Sequence, residues 1–225
     1  MLGDIFQNKD VWIFDLDNTL YSSKTKIFDQ IDERMKLFIS KKLNISFEKA
    51  FTLQKKFYKE YGTTLYGLMK HYNFQPKEFL NFVHDVNLDK ITKNKNLFEN
   101  IKNLPGEKII YTNGDENYAR RVLKKLGIHK LFSYILDIER SNYIPKPIID
   151  PLISFLEEKR INLNNCVYFE DLQKNLENAH KYGITTIHIK EKDFDNIKIE
   201  SFIDFRFSSL IKALKEINKN FTKGR

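Results

Sequence analysis

The sequence predicts an α/β fold, a parallel sheet wrapped by helices, with a helical insert after the first strand. Three observations carry this. An apolar run of β-formers, Val11-Trp12-Ile13-Phe14, stops abruptly at two acids, Asp15 and Asp17. Residues 22 to about 92 show helical spacing and no strand-like alternation. From Asn94 onward, strands and helices alternate at lengths that suit parallel pairing through right-handed crossovers.

Taken in order, the first strand ends where ligands of open α/β sheets bind, outside the carboxyl ends of the strands. Strand residues two apart project to one side, so Asp15 and Asp17 point together. Carboxylates held side by side repel and need a cation, a shared proton or a role in proton transfer. The plainer alternative is an Asp-Asn turn whose acids are solvated or cap a helix. In the insert, Ile27, Ile31, Met35 and Phe38 repeat at helical spacing and stop before Asn44. Ser46 suits the N-cap of a second helix carrying Ala50, Phe51, Phe57 and Tyr61, with Gly62 as its stop. Leu65, Leu68, Met69 and Tyr72 mark a third helix. Pro76 fits the first turn of a fourth, with Phe79, Leu80 and Val83 inward.

A helix through Leu97, Ile101 and Leu104 then leads to the strand Lys108–Tyr111 and to Thr112-Asn113-Gly114. Tyr118, Val122, Leu123 and Leu126 share a helix face closed by Gly127. A strand near Tyr134–Ile138 and a helix from about Asp150 to Lys159 follow. The next strand, Cys166–Phe169, runs into Glu170-Asp171. A helix to Gly183, the strand Thr185–Ile189, and a tail helix with Leu210, Ile211, Leu214 and Ile217 complete the pattern, before a frayed basic end.

Composition narrows the function classes. In 225 residues, 41% hydrophobic content is ample for a packed core, and 8 Gly with 5 Pro argue against long linkers. The single cysteine, Cys166, can form no internal disulfide and reads as a core residue of a cytoplasmic protein. No apolar run reaches the length of a membrane span, and Met1–Asp4 lacks the start of a signal peptide. Net charge is +8, yet the lysines are scattered among asparagines and acids. That favours a solvated basic surface over a nucleic-acid platform, and a positive field draws in small anions.

Three strand ends thus carry polar signatures: Asp15-Leu-Asp17, Thr112-Asn113 and Glu170-Asp171. A fourth element is Lys146, on a loop stiffened by Pro145 and Pro147. In this order and spacing they resemble the four motifs of the haloacid dehalogenase superfamily. The resemblance covers nearly the whole chain and implies a Rossmann-like core, residues 1–21 and 93–225, with an inserted helical cap, residues 22–92. It also implies roles. Asp15 would attack phosphorus to form an aspartyl phosphate, and Asp17 would protonate the leaving oxygen and then activate water. Mg²⁺ would bind a carboxylate oxygen of Asp15, the main-chain carbonyl of Asp17, and Asp171, with Glu170 helping directly or through water. Thr112, the Asn113 amide and Lys146 would hold the phosphoryl oxygens. The superfamily's dehalogenases lack the acid at Asp17, so its presence implies phosphate chemistry. One departure is Leu172, where a small hydroxyl residue often follows the second acid.

The substrate reading is narrower. Tyr21-Ser22-Ser23 and the stretch Tyr61–Leu68, with Thr63 and Thr64 facing the site, look like the pyrimidine 5′-nucleotidase branch. The expectation is therefore a phosphatase acting as a monomer or homodimer on a small phosphorylated metabolite, favouring a pyrimidine nucleoside 5′-monophosphate. A sugar-phosphate phosphatase or phosphoglucomutase is one alternative, and a silent binding protein is another. Thr63 and Thr64 equally suit a plain helix cap. His71 and His84 are expected to be exposed cap residues and not ligands.

Overall fold

The structure, a computed structural model, describes residues 5–72, 75–191 and 200–222. The segment Met1–Asp4 and the expected frayed end fall outside these residues. Six strands make one parallel sheet: β1 (Val11–Phe14), β2 (Glu107–Tyr111), β3 (Tyr134–Leu136), β4 (Cys166–Glu170), β5 (Thr185–Ile189) and β6 (Phe205–Phe207). Their order is β3-β2-β1-β4-β5-β6. Strand β1 therefore lies between β2 and β4, with Phe14 in register with Ile110 and with Phe169.

Alternation within β1 sorts its side chains onto two cores. Trp12 and Phe14 join Ile110, Val167, Phe169 and Ile187 in one cluster, while Val11 and Ile13 join Ile109, Tyr111 and Tyr168 in the other. Every residue of β1, β4 and β5 is buried, as expected where helices cover both faces of a parallel sheet. Phe14 stacks on Phe169 with centroids 4.7 Å apart. Burial of a side chain this size contributes about 2–3 kcal/mol.

On the first face lie α5 (Lys95–Lys102), α6 (Glu116–Leu126) and the tail helix α9 (Leu210–Thr222). On the second lie α7 (Asp150–Glu158) and the short α8 (Glu177–Lys181). Between β1 and α5 the described residues make four α-helices: α1 (Ile27–Leu43), α2 (Phe47–Tyr61), α3 (Thr64–His71) and α4 (Pro76–Val83). Their apolar faces, including Ile31, Phe38, Phe57 and Phe79, continue the first cluster. Caps set the boundaries. The Ser46 hydroxyl accepts the Lys49 amide at 3.3 Å, and Gly62 ends α2 with φ +84°. Gly62 has a second constraint, because a Cβ there would lie 3.0 Å from the Lys146 carbonyl oxygen.

Three expectations shift in the structure. The strand at Tyr134 ends at Leu136 and not Ile138, because the Asp137 carboxylate takes the amides of Glu116 and Arg140 and turns the chain. The helix expected to run to Gly183 shrinks to α8, preceded by a 3₁₀ turn at Gln173–Asn175. Strand β6 is additional, three half-buried residues too short to show a period. Cys166 is buried in the core as expected, and no helix among the described residues is long and apolar enough to cross a membrane.

Candidate active site

Because β2, β1 and β4 are neighbours, their carboxyl ends bring three signatures together. Asp15 continues the ladder, its amide donating to the Phe169 carbonyl at 2.9 Å. Asn18 then takes φ 60°, a conformation asparagine tolerates, and this turns the chain after Asp17. Lys146 arrives from the loop before α7, between Pro145 and Pro147. It is no surface lysine: only 4% exposed, it donates to Asp15 Oδ1 at 2.5 Å and Glu170 Oε1 at 2.8 Å.

The loop is fastened by Asn113, whose Oδ1 accepts the Lys146 amide at 2.9 Å. That orientation leaves the Asn113 NH₂ as its free donor end. The Thr112 hydroxyl accepts the Gly114 amide at 3.0 Å, which leaves its own proton to offer. Glu170 is fully buried, and both its oxygens are engaged. Oε1 accepts from Lys146 and from Asn175 Nδ2 at 2.6 Å, and Oε2 accepts the Leu172 amide at 2.8 Å. At Leu172 a backbone N–H thus binds the acid, so the missing hydroxyl residue leaves Glu170 satisfied.

Electrostatics separate the acids. Burial, the Glu170 and Asp17 charges, and only partial relief from Lys146 push Asp15 up to about 7. Burial and the charges of Asp15 and Glu170 push Asp171 up to about 9. Burial works to raise Glu170 too, but Lys146 and two amide donors bring it below the usual carboxylate range. Burial would lower Lys146, yet Asp15 and Glu170 hold it well above its ordinary value. At the strand ends Lys146 therefore stands as a cation among Asp15, Glu170 and Asp171.

Two observations test whether a metal fits. Asp15, Glu170 and Asp171 each offer an oxygen within 4.8 Å of the others. Asp15 Oδ2 is buried with no hydrogen-bond partner among the described residues. Crowded carboxylate oxygens, one of them orphaned, suit a hard divalent cation such as Mg²⁺. His188, 1% exposed, donates from Nε2 to the Asp171 carbonyl at 2.9 Å and steadies this end of β4.

Asp17 stands in a different setting. Its Oδ1 accepts the hydroxyls of Tyr118, at 2.7 Å, and Tyr21. The expectation of an exposed His84 fails: it is 7% exposed, hydrogen-bonded through Nδ1 to Asp115 and stacked on Tyr118. Its partners come from α6, so a reading of its own helix could not reveal them. His71 is exposed as expected, bonded to the Tyr61 hydroxyl at 2.7 Å. Tyr118, Asn175 and His188 carry no sequence signal for these roles, since each acts through a partner set by the fold.

Over these residues lies a cavity of about 320 Å³, walled on its far side by α1, α2, α3 and α4. Thr63 and Thr64 line it, and each hydroxyl already makes one hydrogen bond to a main-chain group. Thr63 caps α3 by accepting the Tyr66 amide at 3.2 Å, and Thr64 donates to the Gln54 carbonyl at 3.3 Å.

Several known proteins are similar to this chain. The family model of haloacid dehalogenase-like hydrolases matches residues 12–189. Phosphate metabolism protein 8 of Saccharomyces cerevisiae is 27% identical over 93% of this chain and 71% of its own length. Glyceraldehyde 3-phosphate phosphatase of Methanocaldococcus jannaschii is 26% identical over 94% of this chain and 97% of its own. A HAD phosphatase from Thermococcus onnurineus superposes with TM-score 0.61 at 19% identity, covering 93% of this chain and 97% of that one. The HAD-hydrolase YfnB of Bacillus subtilis, solved bound to magnesium, gives 0.60 at 15%, covering 93% and 99%. At these identities the structural likeness shows the fold.

Proposed function

Since the chain belongs to the haloacid dehalogenase-like hydrolases, we propose that it is a Mg²⁺-dependent phosphomonoester hydrolase working through an aspartyl phosphate. The observation that carries this reading is the contrast between Asp15 and Asp17. Asp15 is buried beside Lys146 with Oδ2 unpartnered, while Asp17 is held by two tyrosine hydroxyls. This contrast supports Asp15 as the nucleophile and Asp17 as the proton carrier.

Asp15 attacks phosphorus through one carboxylate oxygen as the bond to the ester oxygen breaks, and Asp17 gives the departing ester oxygen its proton. Asp17 then takes a proton from the water that cleaves the acyl phosphate and frees Asp15. Lys146, the Asn113 NH₂ and the Thr112 hydroxyl hold the phosphoryl oxygens while charge builds on them. Asp15, Asp171 and the Asp17 main-chain carbonyl are the ligands we assign to Mg²⁺. Glu170, with both oxygens taken, backs Lys146 and would assist the ion from beside these ligands. The ion supplies the positive charge that lets a phosphate dianion enter beside these acids.

For the substrate we favour a pyrimidine nucleoside 5′-monophosphate, read by residues 22–92 acting as a cap. The cavity is of ligand size, and its cap wall is apolar and aromatic, with Phe28, Met35, Tyr58 and Phe79. Gln54 adds specificity. Its Nε2 donates to Asp32 Oδ1 at 2.8 Å, so Oε1 is the end left buried without a partner among the described residues. A base N–H would satisfy it. A small phosphosugar is the second reading, favoured by the archaeal relative's name. The scattered charge fits a small metabolite better than a nucleic acid.

The test is hydrolysis of p-nitrophenyl phosphate with Mg²⁺ and with chelator, followed by uridine monophosphate against glyceraldehyde 3-phosphate. No Mg²⁺-dependent release of phosphate from any of them would sink the phosphatase reading. A higher kcat/KM for the triose phosphate would replace the nucleotide.

A further inference from the structure

We infer that Tyr118 is a positioning residue for the proton carrier Asp17, and that His84 holds Tyr118 in place from the end of the helical insert. The inference rests on the phosphatase reading and adds how its acid is aligned.

Asp17 Oδ1 accepts from Tyr118 at 2.7 Å and from Tyr21, while the two tyrosine oxygens lie 3.0 Å apart. If both hydroxyls spend their protons on Asp17, neither donates to the other, and the carboxylate is fixed in rotation. Oδ2 is then the oxygen turned toward a reacting ester. Burial, and then the Asp17 charge, raise both tyrosines above their ordinary values, so they stay donors throughout the working range.

Tyr118 is itself held from behind. Its ring stacks on His84 with centroids 4.5 Å apart and planes 9° from parallel. His84 Nδ1 pairs with one oxygen of Asp115, whose other oxygen caps α6 by accepting the Tyr118 amide at 2.9 Å. Arg121, one turn further along α6, donates to the His84 and Val86 carbonyls, each at 2.9 Å. Asp115, Tyr118 and Arg121 are spaced by threes, so they form one face of α6. Docked on that face is the residue that ends α4. The joint where the insert returns to the core thus abuts the acid's clamp.

A residue that only supports the fold lowers turnover of all esters alike. A residue that aligns a proton donor matters most where the leaving group needs a proton. Phenyl phosphate and p-nitrophenyl phosphate share a shape but differ in that need. Tyr118→Phe keeps the ring and removes the hydroxyl. We expect kcat for phenyl phosphate to fall roughly tenfold more than kcat for the nitrophenyl ester. His84→Ala, which removes no hydrogen bond to Asp17, should show the same preference in smaller measure. Tyr21→Phe supplies a second deletion of a clamp hydroxyl if Tyr118→Phe folds poorly, as its melting curve would show. Equal losses on the two esters, or none, would overturn this inference alone. Wild-type protein that hydrolyses neither ester would overturn it together with the phosphatase reading.

Discussion

The two walls of the main cavity are made of opposite materials. On the sheet side, Asp15, Lys146 and Glu170 put charge into a buried place, at 5%, 4% and 0% exposure. On the helical side, Ile31, Met35, Phe79, Leu80 and Val83 present hydrocarbon, relieved by Gln54 and the Asp32–Lys55 ion pair. The sheet wall is crowded with like charge that Lys146 partly balances. The helical wall is ordinary apolar packing with one loose acceptor. Under the proposed function the difference is a division of labour: chemistry shared by all esters on one wall, and discrimination among them on the other.

That division is most exposed to test at Asp15. Asp15→Asn should lower kcat/KM for every ester alike, by roughly 10⁴-fold or more, because an amide is a poor nucleophile. A loss confined to one substrate would place substrate selection on the sheet wall. Next in size, Lys146→Met leaves Asp15 and Glu170 facing each other without their cation. A loss of stability of about 3–5 kcal/mol is expected, read by denaturant unfolding. Little change would show that the acids simply take up protons.

The sheet wall also has a pH signature that the helical wall lacks. Asp15 and Asp171 keep protons in the fold up to about 7 and about 9, against an ordinary 3.8. Across that window the folded state binds more protons than the unfolded chain, so metal-free stability should fall as pH rises from 5 to 9. His188, lowered by burial, opposes the trend near pH 6. Melting in chelator should show the decline and Mg²⁺ should flatten it, more at pH 9 than at pH 6. A metal effect independent of pH would argue that these acids are not its ligands.

On the helical wall the effects shrink and become selective. Gln54→Leu should cost the nucleotide about twofold to tenfold in kcat/KM, the value of one neutral hydrogen bond, and leave p-nitrophenyl phosphate untouched. Equal effects would mean that Gln54 serves only its bond to Asp32. Smallest of all, Thr63→Val removes the cap of α3 and should lower stability by about 1 kcal/mol. A raised nucleotide KM with unchanged melting would show instead that this hydroxyl meets the ligand.

Local sequence disclosed whatever depends on local physics. The run Val11–Phe14 reads as a buried strand because four apolar β-formers leave little else, and Ser46, Gly62 and Gly127 mark helix ends through their own capping chemistry. Spacing also located Asp15, Thr112, Lys146 and Glu170, which the fold brings to adjoining strand ends and one neighbouring loop. Side chains whose meaning lies in distant partners stayed hidden. His84 looks exposed on a short helix until Asp115, 31 positions away, closes on it. Tyr118 looks like one more apolar position of α6 until its hydroxyl meets Asp17, 101 positions away. Strand β6 is too short for any period to register.

The placement of β1 in mid-sheet has a consequence for biosynthesis. The strand is made early, yet its two partners are Glu107–Tyr111 and Cys166–Glu170. A growing chain therefore carries four sticky residues with both edges open while the helices α1 to α4 can already pack on one another. The pair Lys146–Asp15 joins positions 131 apart, so the centre is incomplete until Lys146 has been made. Closure comes late and at a stroke, when β4 emerges and seals the second edge. Until then the edge of Val11–Phe14 that β4 covers is open to wrong pairing.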